Sequence, residues 1–193
     1  MLGLKLPTDP RWAKIAEKNI EEILIDHAWC EQKAASTAIS LIVTFPEFPE
    51  LVNAMVALVR EEMGHFKMVH EKLQARGIEL GWDRKDDYVI RLRDFFPKGG
   101  SRIDQMVHRL LIAALIEARS CERFRLLSEE LEEPELREFY RQLMISEANH
   151  YTLFLNFARQ YGDRETVDKK WQELLEFEAK IMKDLGKKES IHG

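Results

Sequence analysis

The sequence predicts an all-α protein: a bundle of four long helices, with a long crossover between the second and third and an extra helix at the C-terminus. Three observations predict it. Only nine Gly and six Pro occur in 193 residues, and they cluster in a few places, which favours long uninterrupted elements over a turn-rich β architecture. Apolar residues recur in steps of three and four through four long stretches, the narrow seam of helices packed nearly parallel to their neighbours. The breakers that separate these stretches sit where a bundle needs its connections.

The first helix is predicted from about Pro10 to Thr44, with Thr8 or Asp9 as cap and Pro10 in the first turn, where no amide hydrogen is needed. Its seam reads Ile20, Leu24, His27, Glu31, Ala34, Ala38, Leu41, Phe45. Pro46-Glu47-Phe48-Pro49 breaks the chain, and a second helix is predicted from Glu50 to Arg76, with Gly77 as its left-handed C-cap. Its seam is Leu51, Met55, Leu58, Glu62, His65, Val69. Residues 77–100 carry Gly81, Pro97, Gly99 and Gly100 and read as the crossover, with a short helix within Asp86 to Phe96. A third helix follows from Ser101 to Leu131, with Ser101 and Asp104 as a variant capping box. Its seam is Ile103, Met106, Leu110, Ala113, Glu117, Ser120, Phe124, Leu127, Leu131. The fourth runs from Pro134 to Gly162, with the seam Leu136, Tyr140, Leu143, Glu147, His150, Phe154, Phe157, Tyr161. A fifth, capped by Asp163, spans Arg164 to Leu185 and is expected to pack outside the bundle through Val167, Trp171, Leu174, Leu175 and Phe177. The tail from Gly186, including His192, is expected to fray.

At this length, with 45% hydrophobic and 33% charged residues, a single domain spanning 1–193 is expected. The longest apolar runs, such as Leu110 to Ile116, fall far short of the ~20 residues of a membrane span, and no secretory signal is visible at the N-terminus. Cys30 and Cys121 form no CxxC pair, so they read as reduced, buried thiols of a cytoplasmic protein. The net charge of −5 argues against indiscriminate nucleic-acid binding while leaving room for a local basic patch.

The seams carry an anomaly. Glu31, Glu62, Glu117 and Glu147 stand where stability alone would place leucine, and His65 and His150 each follow a seam glutamate by three residues. Residues three apart lie on one helical face. A lone Glu on each of two helices, with Glu-x-x-His on each of two others, is the donor set of di-iron and di-manganese carboxylate bundles. Four buried carboxylates would leave the core with a large unbalanced charge, which two divalent cations neutralise. Oxygen and imidazole donors without thiolate suit iron or manganese better than copper or zinc. Glu61 and Glu122 lie off the seams and are assigned to solvated faces. His27, one turn before Glu31, reads either as its hydrogen-bond partner or as a core histidine. His70 and His108 have no partner at ligand spacing, and Tyr140 and Tyr151 read as packed aromatics.

Such a centre can activate O₂ for C–H oxidation, store iron or dispose of peroxide, and periodicity does not choose among these. The residues around the donors do. Ile25-Asp26-His27-Ala28-Trp29-Cys30-Glu31-Gln32-Lys33-Ala34-Ala35-Ser36-Thr37-Ala38 resembles the first-helix signature of the bacterial tRNA hydroxylases that act on 2-methylthio-N6-isopentenyladenosine, members of the ferritin-like superfamily. Arg60-Glu61-Glu62-Met63-Gly64-His65-Phe66, Leu115-Ile116-Glu117-Ala118-Arg119-Ser120-Cys121-Glu122-Arg123-Phe124 and Ser146-Glu147-Ala148-Asn149-His150-Tyr151 are similar to that family's other ligand segments.

The resemblance implies a non-haem di-iron monooxygenase that hydroxylates the isopentenyl group beside the tRNA anticodon, consuming O₂ and two electrons. Carried over, the ligands are Glu31, Glu62 and His65 for one iron and Glu117, Glu147 and His150 for the other, with Glu62 and Glu147 bridging. The implied partners are the tRNA anticodon loop and an external reductase or ferredoxin, for a protein that is a monomer or small oligomer. Arg84, Lys85, Arg91, Arg93, Lys98 and Arg102 of the crossover are candidate tRNA contacts, although the acids interspersed among them also fit a solvated surface. Phe66, Leu115 and Phe124 are available to line a prenyl slot, or serve as ordinary core. The rival readings are a ferritin-type iron-storage or ferroxidase protein, a rubrerythrin-type peroxidase and a manganese catalase.

Overall fold

The computed structural model describes residues 2–83, 85–185 and 191. Arg84 and the tail residues 186–190 and 192–193, His192 among them, lie outside the described residues. The described residues are all-helical and contain no strand: α1 (Arg11–Lys18), α2 (Ile20–Thr44), α3 (Pro49–Ala75), α4 (Asp87–Arg93), α5 (Arg102–Glu130), α6 (Pro134–Tyr161) and α7 (Arg164–Leu185). No helix among them is long and apolar enough to cross a membrane.

These residues form two compact units. One runs from Lys18 to Lys85, with Ile191, and is the antiparallel hairpin of α2 and α3. Its connection is short because Pro46 and Pro49 stop one helix and open the next, Pro49 occupying the first turn of α3. The seam residues Leu24, Ala38, Leu41, Leu51, Met55, Leu58 and Val69 are buried, as the periodicity requires. Gly77, at φ +68, ends α3, with Ile78 N–H donating to the Leu73 carbonyl in a Schellman-type turn.

The second unit holds α1 and the chain from Asp86 through α7, built on the antiparallel hairpin of α5 and α6. Ser101 caps α5 through the expected box: its Oγ accepts from Asp104 N–H, and the Asp104 carboxylate accepts from Ser101 N–H. Asp163 Oδ1 accepts from Thr166 N–H at 2.9 Å and starts α7, whose Val167, Trp171, Leu174 and Leu175 are buried. The chain turns into α7 at Gly162, where a Cβ would lie 2.7 Å from Val167 Cγ2 and 2.9 Å from Val107 Cγ2.

The structure departs from the sequence reading in three places. The first helix is two helices, broken at Asn19, because α1 belongs to the second unit: the Arg123 guanidinium lies 4.3 Å from the Trp12 ring centroid, and Glu17 accepts from Glu132 N–H. The crossover helix stops at Arg93, since Phe95 and Phe96 turn their rings onto Phe177 and His108. Glu122, assigned to a solvated face, is buried: Thr8 and Arg119 donate to its carboxylate. Glu61 is exposed as expected.

Candidate metal centre

Each helical hairpin gathers the same donor set. In the α2–α3 unit the two helices run antiparallel from the turn at 45–48, so Glu31 comes level with Glu62. Glu31 (4% exposed), Glu62 (0%) and His65 (8%) are buried together. His65 Nδ1 lies 3.5 Å from Glu31 Oε2 and 3.5 Å from Glu62 Oε2. One ligand atom from each of the three falls within 4.8 Å of the others.

The charges of this cluster hold one another. Burial works to raise Glu31, but hydrogen bonds from His27 and His65 outweigh it and keep the carboxyl well below the usual carboxylate range. Burial works to lower His65, yet the carboxylates of Glu31 and Glu62 push it up to about 10. Pairing with the imidazole thus offsets part of the cost of burying the two carboxylates. His27, fully buried, is 2.6 Å from Glu31 Oε1 through Nε2. Of the two sequence readings of His27, the structure therefore selects the partner of Glu31.

The α5–α6 unit carries the same three residue types. Glu117, Glu147 and His150 are buried, at 5%, 3% and 3% exposure. Glu147 Oε1 is 4.0 Å from His150 Nδ1, and Glu117 and His150 offer ligand atoms within 4.8 Å of each other. Phe124 and Phe139 flank Tyr140 with ring centroids 5.3 Å away, which makes Tyr140 a packed aromatic; Tyr151 sits against Trp171 at 5.9 Å. Leu115 and Phe124 are fully buried and Phe66 is half-buried against His70. His108 is stacked on Phe96 at 4.0 Å and meets Lys170 Nζ at 3.0 Å, a packing role.

Two carboxylates and an imidazole per hairpin, all buried and with no thiolate among them, fit a hard to borderline divalent metal and are compatible with iron. The sequence-expected surface cations have different fates. Lys85, Arg93, Lys98 and Arg102 are exposed, whereas Arg91 is half-buried in an ion pair with Asp184 at 2.8 Å. Sequence reasoning missed a second buried polar cluster in the α5–α6 unit. Arg119, fully buried, donates to Glu178 at 2.6 Å, to Glu122, to Thr8 Oγ1 at 3.1 Å and to the Leu6 carbonyl at 3.0 Å.

Helices bearing a lone glutamate beside helices bearing Glu-x-x-His, in two hairpins, are the pattern of ferritin-like proteins, with residues compatible with carboxylate-bound iron. A solved structure agrees with that class: "Protein 43 with aldehyde deformylating oxygenase activity from Synechococcus" matches with a TM-score of 0.92 and 35% sequence identity, over 98% of this chain and 95% of that one. More narrowly, the chain belongs to the tRNA-(MS2IO6A)-hydroxylase (MiaE) family, whose sequence model matches residues 2–193. A relative from Pseudomonas putida, named tRNA 2-(methylsulfanyl)-N(6)-isopentenyladenosine(37) hydroxylase, is 40% identical over 85% of this chain and 78% of its own length. One of the same name from Salmonella typhimurium is 30% identical over 81% of this chain and 75% of its own.

Proposed function

We propose that this chain is an O₂-dependent di-iron monooxygenase that hydroxylates the isopentenyl group of 2-methylthio-N6-isopentenyladenosine in tRNA. The observation that carries the reading is the family match from residue 2 to 193, joined to a buried carboxylate–imidazole set in each hairpin. The two units would act as one ferritin-like domain. Glu31, Glu62 and His65 would hold one iron and Glu117, Glu147 and His150 the other, with Glu62 and Glu147 as the shared carboxylates. Bound there, the iron pair supplies O₂ activation for a reaction that takes up two electrons and two protons, places one oxygen atom in a C–H bond and releases the other as water.

The chain's own residues do the rest. His27 holds one oxygen of Glu31, fixing the carboxylate that Glu31 turns to the cluster. The donors are themselves nearly closed to solvent, and buried apolar residues of the same helices, Leu115 and Phe124 among them, help keep water out. The target base lies in a single-stranded loop, so it reaches a recessed site with little duplex to open. Lys85, Arg93, Lys98 and Arg102 are exposed cations suited to the phosphates of the anticodon arm, with Arg91 drawn partly away by Asp184. Electrons come from an external reductase or ferredoxin, and the protein works in the cytoplasm as a monomer or small oligomer.

The test is direct. Reduced, iron-loaded protein is incubated with prenylated, methylthiolated tRNA and O₂, and the digested nucleosides are examined by mass spectrometry for one added oxygen. Glu147→Ala should abolish the product and lower bound iron per chain; wild-type turnover in that variant would refute the mechanism. A second reading, an aldehyde-deformylating oxygenase, is favoured by the Synechococcus likeness, which spans nearly the whole chain. Turnover of a long-chain aldehyde at a rate exceeding that on tRNA would select it.

A further inference from the structure

We propose that Trp82 is a nucleobase-stacking platform for the anticodon loop, an inference that rests on the reading of the chain as a tRNA hydroxylase. The chain has four tryptophans. Trp12 and Trp171 are buried at 0% and 4% exposure, and Trp29 is half-buried; Trp82 is 93% exposed. Its ring meets no other ring and its indole N–H no acceptor among the described residues. An indole left in water at the surface of a protein with a well-filled core contributes nothing to folding.

The segment that carries it is tied to α2. Trp82 lies in the irregular segment after α3, shaped by Gly77 and Gly81 at φ +68 and +65. The next residue, Asp83, is clamped to Lys33 of α2 at 2.6 Å. Lys33 is two residues beyond Glu31, about 3 Å along the helix axis. The indole therefore lies on a segment tied to α2 two residues beyond the metal-ligand candidate Glu31, within the same unit. Three residues after the ring, Lys85 is exposed and adds a cation to the same segment.

The chemistry of the substrate explains such a ring. To bring its prenyl group to a recessed site, the modified adenosine must leave the stack of the loop, and each neighbouring base loses a stacking face. An exposed aromatic on a segment that also carries a cation supplies a replacement face without reading sequence. A protein partner would need more apolar surface around the ring than Gly81, Asp83 and Lys85 provide.

The experiment compares iron-loaded wild type, Trp82→Ala and Trp82→Phe. Each is titrated with prenylated, methylthiolated tRNA and with its isolated anticodon stem-loop, and iron content is measured in parallel. In the wild type, stem-loop binding should quench the long-wavelength fluorescence of a solvated indole. Trp82→Ala should lose that quenching, bind about tenfold or more weakly and raise KM more than it lowers kcat. Its iron content and the salt slope of binding should not change, and Trp82→Phe should recover most of the affinity. Trp82→Ala that binds like wild type overturns the platform while leaving the hydroxylase reading intact. So does a loss as large in Trp82→Phe as in Trp82→Ala, or normal tRNA binding with impaired electron delivery, which would assign the ring to the reductase. A wild type that neither binds nor hydroxylates tRNA overturns the hydroxylase reading and the platform with it.

Discussion

Replacing Arg119 by methionine keeps the length of the side chain and removes the guanidinium. In the native protein that group, fully buried, joins three otherwise separate pieces of the second unit. It donates to Glu178 of α7 through Nε at 2.9 Å and Nη2 at 2.6 Å, to Glu122 on its own helix, and to Thr8 and the Leu6 carbonyl of the N-terminal segment. Tyr88 of α4 adds a hydrogen bond to Glu178 at 3.3 Å. Burial works to lower Arg119, but Glu178, Tyr88 and Glu122 outweigh it and hold the cation charged. Burial raises Glu178, and Arg119 offsets this only in part. Without the arginine, two carboxylates, Glu178 at 0% and Glu122 at 7% exposure, remain buried with no cation between them. Breaking a buried pair in this way costs about 3–5 kcal/mol, or a fall in Tm of about 6–20 °C for a chain of this size.

Urea unfolding of the metal-free protein measures the loss, and pH supplies an internal check. A carboxyl whose folded-state pKa lies above its unfolded value binds a proton in the native state that the unfolded chain has released. Stability from that proton is present at low pH and is lost as pH rises through the raised pKa. Arg119→Met raises Glu178 further, so the deficit should be smaller at pH 5 than at pH 7.5. Adding Glu178→Gln should recover part of it at pH 7.5. A loss under about 1 kcal/mol, with no pH dependence, would refute the view that this network is a desolvated clasp.

Other perturbations have separate readouts. Gly162→Ala places a methyl 2.7 Å from Val167 Cγ2 and 3.0 Å from the Ala158 carbonyl, and should cost about 1–3 kcal/mol in thermal unfolding. Gly64→Ala, with open space around its Cβ inside α3, should instead stabilise by about 0.5–1 kcal/mol. His27→Leu removes the 2.6 Å contact to Glu31 and should weaken ferrous iron binding about 10- to 100-fold; His27→Gln should lose less, and equal affinity in all three proteins by metal titration would exclude a positioning role. Charge reversal of Arg91 and Arg93 should weaken tRNA binding and flatten its salt dependence, with the larger part from Arg93, because Arg91 is already paired with Asp184. An unchanged salt slope would place the contact elsewhere.

The burial of the six candidate donors was legible in the sequence because residues on one helical face leave a periodic trace. Glu62 and His65, or Glu147 and His150, must stand three apart to share a face, and all six candidates must interrupt seams that are otherwise apolar. The helix ends were legible for the same local reason: Ser101, Asp163, Pro49, Pro134 and Gly77 act within one turn of their own position. What periodicity cannot see is a second buried face. Helix α5 is covered away from its Glu117 seam by the N-terminal segment, α4 and α7, and so Glu122 looked solvated while Arg119 and Arg123 went unremarked. Whether a charged side chain is buried depends on partners 59 to 114 residues away, and no local pattern records them. The break at Asn19 is of the same kind, since α1 leaves the line of α2 to pack Trp12 beneath Arg123. Local spacing determined the helices and the six candidate donors on their seams; only the folded chain decided which remaining charges lie inside, because burial is set by what distant segments bring to cover them.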